Sequence, residues 1–154
     1  MLTNSFAEEL KQGYLRVAGC LSNEDRAMVA RARDPINTEA VERNRLLAQA
    51  VCAYRAGPKP TWGPVILDLL APTLVVILQG LRPVPPTIDE PEIRQQLVAE
   101  ALHAAATVPL LESGLQTRFR LASRAYTRVL RWLAREGRTR RLQVSSEWRE
   151  GLPR

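Results

Sequence analysis

The stretch PVILDLLAPTLVVILQGL, residues 64–81, is apolar nearly all round and is interrupted by Asp68 and Pro72. A helix of this kind has no face to offer water, so it must be enclosed by other elements or by lipid. Its length approaches a membrane span, but the two interruptions and the absence of an anchoring pattern in the flanks argue against one. We read it as a buried central helix, which makes the fold all-α: a multi-helix bundle with a long basic amphipathic C-terminal helix. Pro72 is expected to kink the central helix or to start a second one. Asp68, a carboxylate in an apolar helix, needs a partner, and an arginine from another helix is the expected one.

Working outward, GPKPTWGP (57–64) carries three prolines and is expected to interrupt helical structure. It divides the chain into an N-terminal helical module, residues 1–57, and a main helical domain, residues 62–141, followed by a basic tail, residues 142–154. Three short helical patterns fill the first module. Phe6, Leu10, Tyr14, Val17 and Leu21 recur at spacings of three and four, one apolar face. Ser22, with Asp25 three residues on, reads as the cap of a second helix that stops at Asp34-Pro35. Asn37 or Thr38 is the expected cap of a third, with Val41, Leu47, Val51 and Tyr54 near one face and Gly57 as its stop.

Beyond the central helix, RPVPPTIDEP (82–91) is a proline-rich connection. A helix begins near Asp89, with Glu90 and Glu92 in a first turn whose macrodipole favours them. Ile93, Leu97, Ala101 and Ala105 form its apolar seam, widened by Val98 and Leu102. Glu92, Gln95, Gln96, Ala99 and His103 form the other face. Pro109 and Gly114 bracket the next loop.

The final helix, RFRLASRAYTRVLRWLARE (118–136), places Arg120, Arg124, Arg128, Arg131, Arg135 and Arg138 within an arc of about 80°. Leu115, Phe119, Ala122, Tyr126, Val129, Leu130 and Leu133 fall opposite and form the expected core face. Like charges at this spacing repel, and the stripe meets no acidic residue until Glu136. An anionic partner is the expected compensation. Trp132 and Leu121 lie at the edge of the arc, where Trp132 either stacks on exposed bases or packs against another helix.

Charge follows the same division. Residues 1–115 carry a net charge of −2 and residues 116–154 a net charge of +8. So localised a basic surface attracts phosphates by counterion release, with nucleic acid ahead of membrane. Only Lys11 and Lys59 among the 22 basic residues are lysines. Bidentate binding of phosphate or carboxylate explains that preference, and so does codon usage in a GC-rich genome. Cys20 and Cys52 are isolated in apolar stretches and read as reduced core residues of a cytosolic protein. The N-terminus lacks the basic start and apolar run of a signal peptide.

Taken in order, the segments from Trp62 onward resemble the second domain of bacterial RNA polymerase sigma factors, the all-helical domain that grips core polymerase and melts the promoter. An apolar helix with an internal proline, LLAPTLVVILQGL, precedes an acidic start, EIRQQLVAEALHAA, similar to the family's acidic-Leu-x-Gln-Glu pattern. TRFRLASRAYTRVLRWLARE is similar to its Arg-Phe-x-x-Tyr-Ala helix. The resemblance implies that Glu92, Arg94, Gln95 and Gln96 face the β′ subunit of core RNA polymerase. It implies that Arg120, Arg124, Tyr126, Arg128, Arg131 and Trp132 face DNA, with Arg135 and Arg138 continuing the basic stripe. Tyr126 also lies on the expected core face, so the two assignments conflict there. The aromatic set is thin for promoter melting. The 13 residues after Arg141 are too few for the helix-turn-helix that reads the upstream promoter element.

No phosphate-binding glycine loop, Cys/His cluster or nucleophile with a recognisable base is present in the sequence. Enzymatic activity, a cofactor, a metal and a small-molecule substrate are not expected. His103, the single histidine, reads as structural or surface. Two functions remain: a sigma-like transcription protein that binds core RNA polymerase and DNA, or an all-helical interaction module that meets an acidic protein. Membrane association through residues 64–81 and the basic helix ranks last.

Overall fold

All regular structure among the described residues is helical. The computed structural model describes the backbone of residues 2–81 and 87–150 and the side chains of residues 5–81, 87–143, 145 and 146. In chain order the helices are α1 (Leu2–Ala18), α2 (Asn23–Arg33), α3 (Ala40–Ala56), α4 (Lys59–Gly80), α5 (Glu90–Thr107) and α6 (Thr117–Glu150). Within the expected proline-rich connection, residues 82–86 lie outside the described residues, as do residues 151–154 of the expected tail.

α4 is the axis of the bundle, and every other helix packs against it. Val65, Ile66, Leu69, Leu70 and Leu74 are buried along its length, each such side chain contributing about 1.5–3 kcal/mol on leaving water. The helix is long and apolar enough to cross a bilayer, and in this fold 61% of its most apolar window is buried inside the protein. Pro72 does not end it. The proline is exposed, so its ring points away from the core, and its missing N–H costs the helix only the backbone bond to residue 68.

The segment 57–64 differs from expectation. Gly57, at a φ of 88°, ends α3, and α4 starts two residues later at Lys59. Pro58 and Pro60 are tolerated there because the first turn of a helix has no use for its N–H groups, while Pro64 stands inside α4 and leaves one backbone bond unmade. The N–H groups of Thr61 and Trp62 donate to the Pro58 carbonyl at 3.3 and 3.2 Å. Buried side chains from both sides of this segment, Phe6 and Leu47 with Ile66 and Leu121, belong to one core.

Local signals placed most helix ends. Ser22 accepts from the Asp25 N–H at 3.0 Å, and Asp89 accepts from the Glu92 N–H at 3.0 Å. For α3 the expected cap was wrong: Glu39 holds that position without a side-chain bond, and Thr38 is buried. Cys20 and Cys52 are exposed, which corrects their assignment to the core. Apolar neighbours in sequence are a poor guide on a helix, where Val51 and Cys52 point about 100° apart.

α6 is rotated from its expected setting. Its buried ridge is Leu121, Ala125, Val129 and Leu133, at steps of four. Leu115, Phe119, Tyr126 and Leu130, assigned to the core, are exposed, Phe119 by 69%. The apolar arc of this helix is wider than the face its neighbours cover, and contact with α3, α4 and α5 chose one edge of it. Helix α6 also runs through Gly137 to Glu150, so residues 142–150 of the expected tail are helical.

This register predicts a sharp contrast in urea unfolding. Leu121→Ala lowers stability by about 2–5 kcal/mol, whereas Phe119→Ala costs about 0.5 kcal/mol or less. Equal losses for the two variants would show that α6 docks on its other edge.

Candidate nucleic-acid interface

The six arginines of the stripe divide by what they touch. Arg120 is half-buried; its Nη1 donates to the Pro109 carbonyl at 2.9 Å, and its Nε is buried without a partner. Arg128 pairs with Glu100 of α5. Among the described residues Arg138 hydrogen-bonds only to the Ala134 carbonyl of its own helix, 3.3 Å from its Nε. Arg124, Arg131 and Arg135 are exposed and take part in none of the ion pairs among the described residues. Glu136, the first acid along α6, is taken by Arg140 at 3.2 Å.

Between these side chains lies an open groove of about 380 Å³, lined by Glu100, Arg128, Arg131, Ala134, Arg135 and Arg138. Glu100 is the component the sequence reading missed. It lies three residues beyond Leu97 and one before Ala101 on the buried side of α5, where a carboxylate needs a cation. An acid on an otherwise apolar seam was the available signal. Gln96 Nε2 donates to its other oxygen at 3.1 Å, so Glu100 is held from two sides.

The aromatic side chains do not share this face. Trp132 is half-buried and packed against the core. Tyr126 and Phe119 project about 140–160° around α6 from the middle of the arginine arc. Among the described residues the arginine face therefore carries no aromatic platform for base stacking; what it offers is guanidinium donors, whose geometry matches phosphate and carboxylate oxygens.

Three of the four residues carried over as polymerase contacts are engaged within the fold. Arg94 Nη2 lies 2.8 Å from Glu90 Oε1 and its Nη1 3.3 Å from Glu9 Oε1, and the guanidinium stacks over Phe6. Gln96 holds Glu100. Glu92 receives both terminal nitrogens of Arg140, one at 3.1 Å and the other at 2.5 Å, and Arg140 also donates to the Thr87 carbonyl. Gln95 alone of the four is exposed.

Arg140 fastens the far end of α6 to the start of α5. Its hydrogen bonds hold the Glu92 carboxyl below its ordinary value against a smaller opposing effect of burial, and Glu92 and Glu136 together hold the guanidinium above its own. The near end of α6 is fixed by Asn44 of α3, whose Oδ1 accepts the Arg118 N–H at 2.9 Å. Gly114, at a φ of 72°, leads into it; a Cβ there would stand 3.1 Å from the Arg45 Cα. These two anchors set where the arginine face points.

Asp68 has the expected arginine. Arg33 Nε lies 3.1 Å from Asp68 Oδ2. Its N–H is not aligned on that oxygen, which is buried and keeps no hydrogen bond. Burial raises the Asp68 pKa, and the charges of Arg33 and Lys11 oppose the rise.

No family model, curated protein or solved structure matches this chain.

The Arg140 anchor predicts an acid-side effect with a fixed sign. A carboxyl whose folded pKa is lowered stabilises the protein above its unfolded pKa, here about 4.5, and that support is lost as pH falls through the folded value. On descending from pH 5 to pH 3 the wild type should lose more thermal stability than Glu92→Gln. Parallel melting-temperature profiles for the two proteins would exclude a native-state role for this pair.

Proposed function

We propose that this protein binds the phosphate backbone of nucleic acid through the exposed arginine face of α6. One observation carries the reading: Arg124, Arg131 and Arg135 stand on one exposed helix face with no acidic partner among the described residues. Arginines in that state repel one another and are the free cations that exchange counterions for phosphates. From Arg124 to Arg138 the helix advances about 21 Å, about six steps of a nucleic-acid strand. Binding of this kind is directed at the backbone and is largely independent of base sequence.

The resemblance to sigma factors supplies the candidate setting, promoter DNA held beside core RNA polymerase. For polymerase contact the informative position is Gln95, because Arg94 already serves α1 and α5. Substituting Arg94 would disturb the fold and the contact together. The second reading, an acidic protein partner, draws on Glu100: a carboxylate already occupies Arg128 on this same face.

Fluorescence anisotropy with a labelled duplex tests the proposal. Arg131→Glu with Arg135→Glu should weaken binding about 100-fold, and phosphate contacts from Arg124, Arg131 and Arg135 should give the wild type a slope of about −2.7 for log affinity against log salt. Phe119→Ala and Tyr126→Ala should change neither value. Unaltered DNA binding in the double arginine variant sinks the proposal. Competition by polyglutamate at the same charge concentration as the oligonucleotide supports the acidic-protein reading instead. Retention of core RNA polymerase by the wild type, with loss in Gln95→Ala, supports the sigma-like setting; no retention removes it.

A further inference from the structure

A second cationic region lies away from the stripe. A cavity of about 590 Å³ opens between α1, α2, α3, α4 and the first turn of α6, and Lys11, Arg33, Arg43 and Arg118 line it with Asp68 as the one carboxylate among the described residues. Arg118 projects about 120° around α6 from the middle of the arginine arc, so the two regions are separate.

The cations of this cavity are poorly compensated. Arg118 stands in the first turn of α6, which has no acidic residue and where the helix dipole disfavours positive charge. Burial, and then the charge of Arg43, push its guanidinium pKa down. Its Nη1 donates to a neutral group, the Thr73 hydroxyl, at 3.2 Å, and Arg43 Nε donates to the Thr38 carbonyl at 3.1 Å. Lys11, Arg43 and Arg118 enter none of the ion pairs among the described residues. Asp34 lies near enough to feel the charge of Arg43, but its oxygens are engaged by the Ile36 N–H and by the N–H and side chain of Asn37. Arg33 is shared between Asp68 and the face of Tyr14.

The cavity thus combines convergent cations that lack an anion with a carboxylate, Asp68, that lines the same space and, although paired with Arg33, accepts no hydrogen bond among the described residues. An oxyanion satisfies the first need, and a proton or hydroxyl on the same ligand satisfies the second. We propose that the cavity binds a phosphate group that carries a proton or a neighbouring hydroxyl, with Arg43 and Arg118 holding its oxygens and Asp68 accepting its O–H. Sulfate, with the same shape and no proton to give at neutral pH, binds less well.

Thermal unfolding of the full chain at pH 7 and constant ionic strength tests this, with inorganic phosphate, sulfate and glycerol 3-phosphate as probes and chloride as the reference. Phosphate ten times above its Kd should raise the wild-type Tm by about 3–5 °C, and sulfate by less. Arg118→Met, which relieves the repulsion with Arg43, should raise the Tm without phosphate and abolish the shift. Arg43→Gln should abolish the shift as well and serves if the first variant folds poorly. Asp68→Asn should erase the preference for phosphate over sulfate. Arg131→Gln, on the stripe, should keep the full shift. A stronger response to glycerol 3-phosphate identifies an ester as the ligand, and an equal response identifies free phosphate. The proposal is overturned if the wild type responds to phosphate no more than to chloride, if the shift survives in Arg43→Gln, or if Arg131→Gln removes it.

Discussion

Enclosing α4 is the constraint on which the rest of the structure depends. A helix with Val65, Ile66, Leu69, Leu70 and Leu74 buried along it cannot be covered by one neighbour, and the five remaining helices each take part of its surface. Amphipathic helices with one apolar stripe suit that task. It also explains Asp68. A carboxylate carried into the centre by such a helix must find cations there, and Arg33 and Lys11 are the ones that act on it.

The seam between α5 and α6 links this packing to the surface. α5 contributes Ile93, Leu97, Ala101 and Ala104 to the core and holds two acids beside them for α6, Glu92 for Arg140 and Glu100 for Arg128. Both pairs lie between helices, at partial burial, where geometry is constrained more tightly than in surface ion pairs. They fix the rotation of α6 about its own axis. That rotation leaves Arg124, Arg131 and Arg135 outside without acidic partners among the described residues, in an arrangement of mutual repulsion. The two cationic regions differ in kind: one is an open stripe along α6, for which we propose an extended polyanion, and the other a cavity, for which we propose a small one.

The sequence by itself determined the helical class, the central place of residues 64–81 and most helix ends, because each rests on local chemistry. Ser22, Asp89 and Gly57 act within a few residues of themselves, and an apolar run with no polar face has few ways to avoid water. It also determined that α6 carries an arginine stripe, since helical periodicity alone sets which residues share a face. The opening of α4 within GPKPTWGP was less legible, because proline is read as a breaker unless its place in the first turn is known. Only the tertiary structure decided which edge of the α6 apolar arc docks, and so the exposure of Phe119 and Tyr126, the burial of Leu121, and which arginines are paired. It also decided the meeting of Arg43 with Arg118 and of Glu100 with Arg128. An arc of apolar residues wider than one helix interface permits several rotations, and the choice among them is made by side chains distant in sequence, through packing and ion pairs that no local pattern encodes.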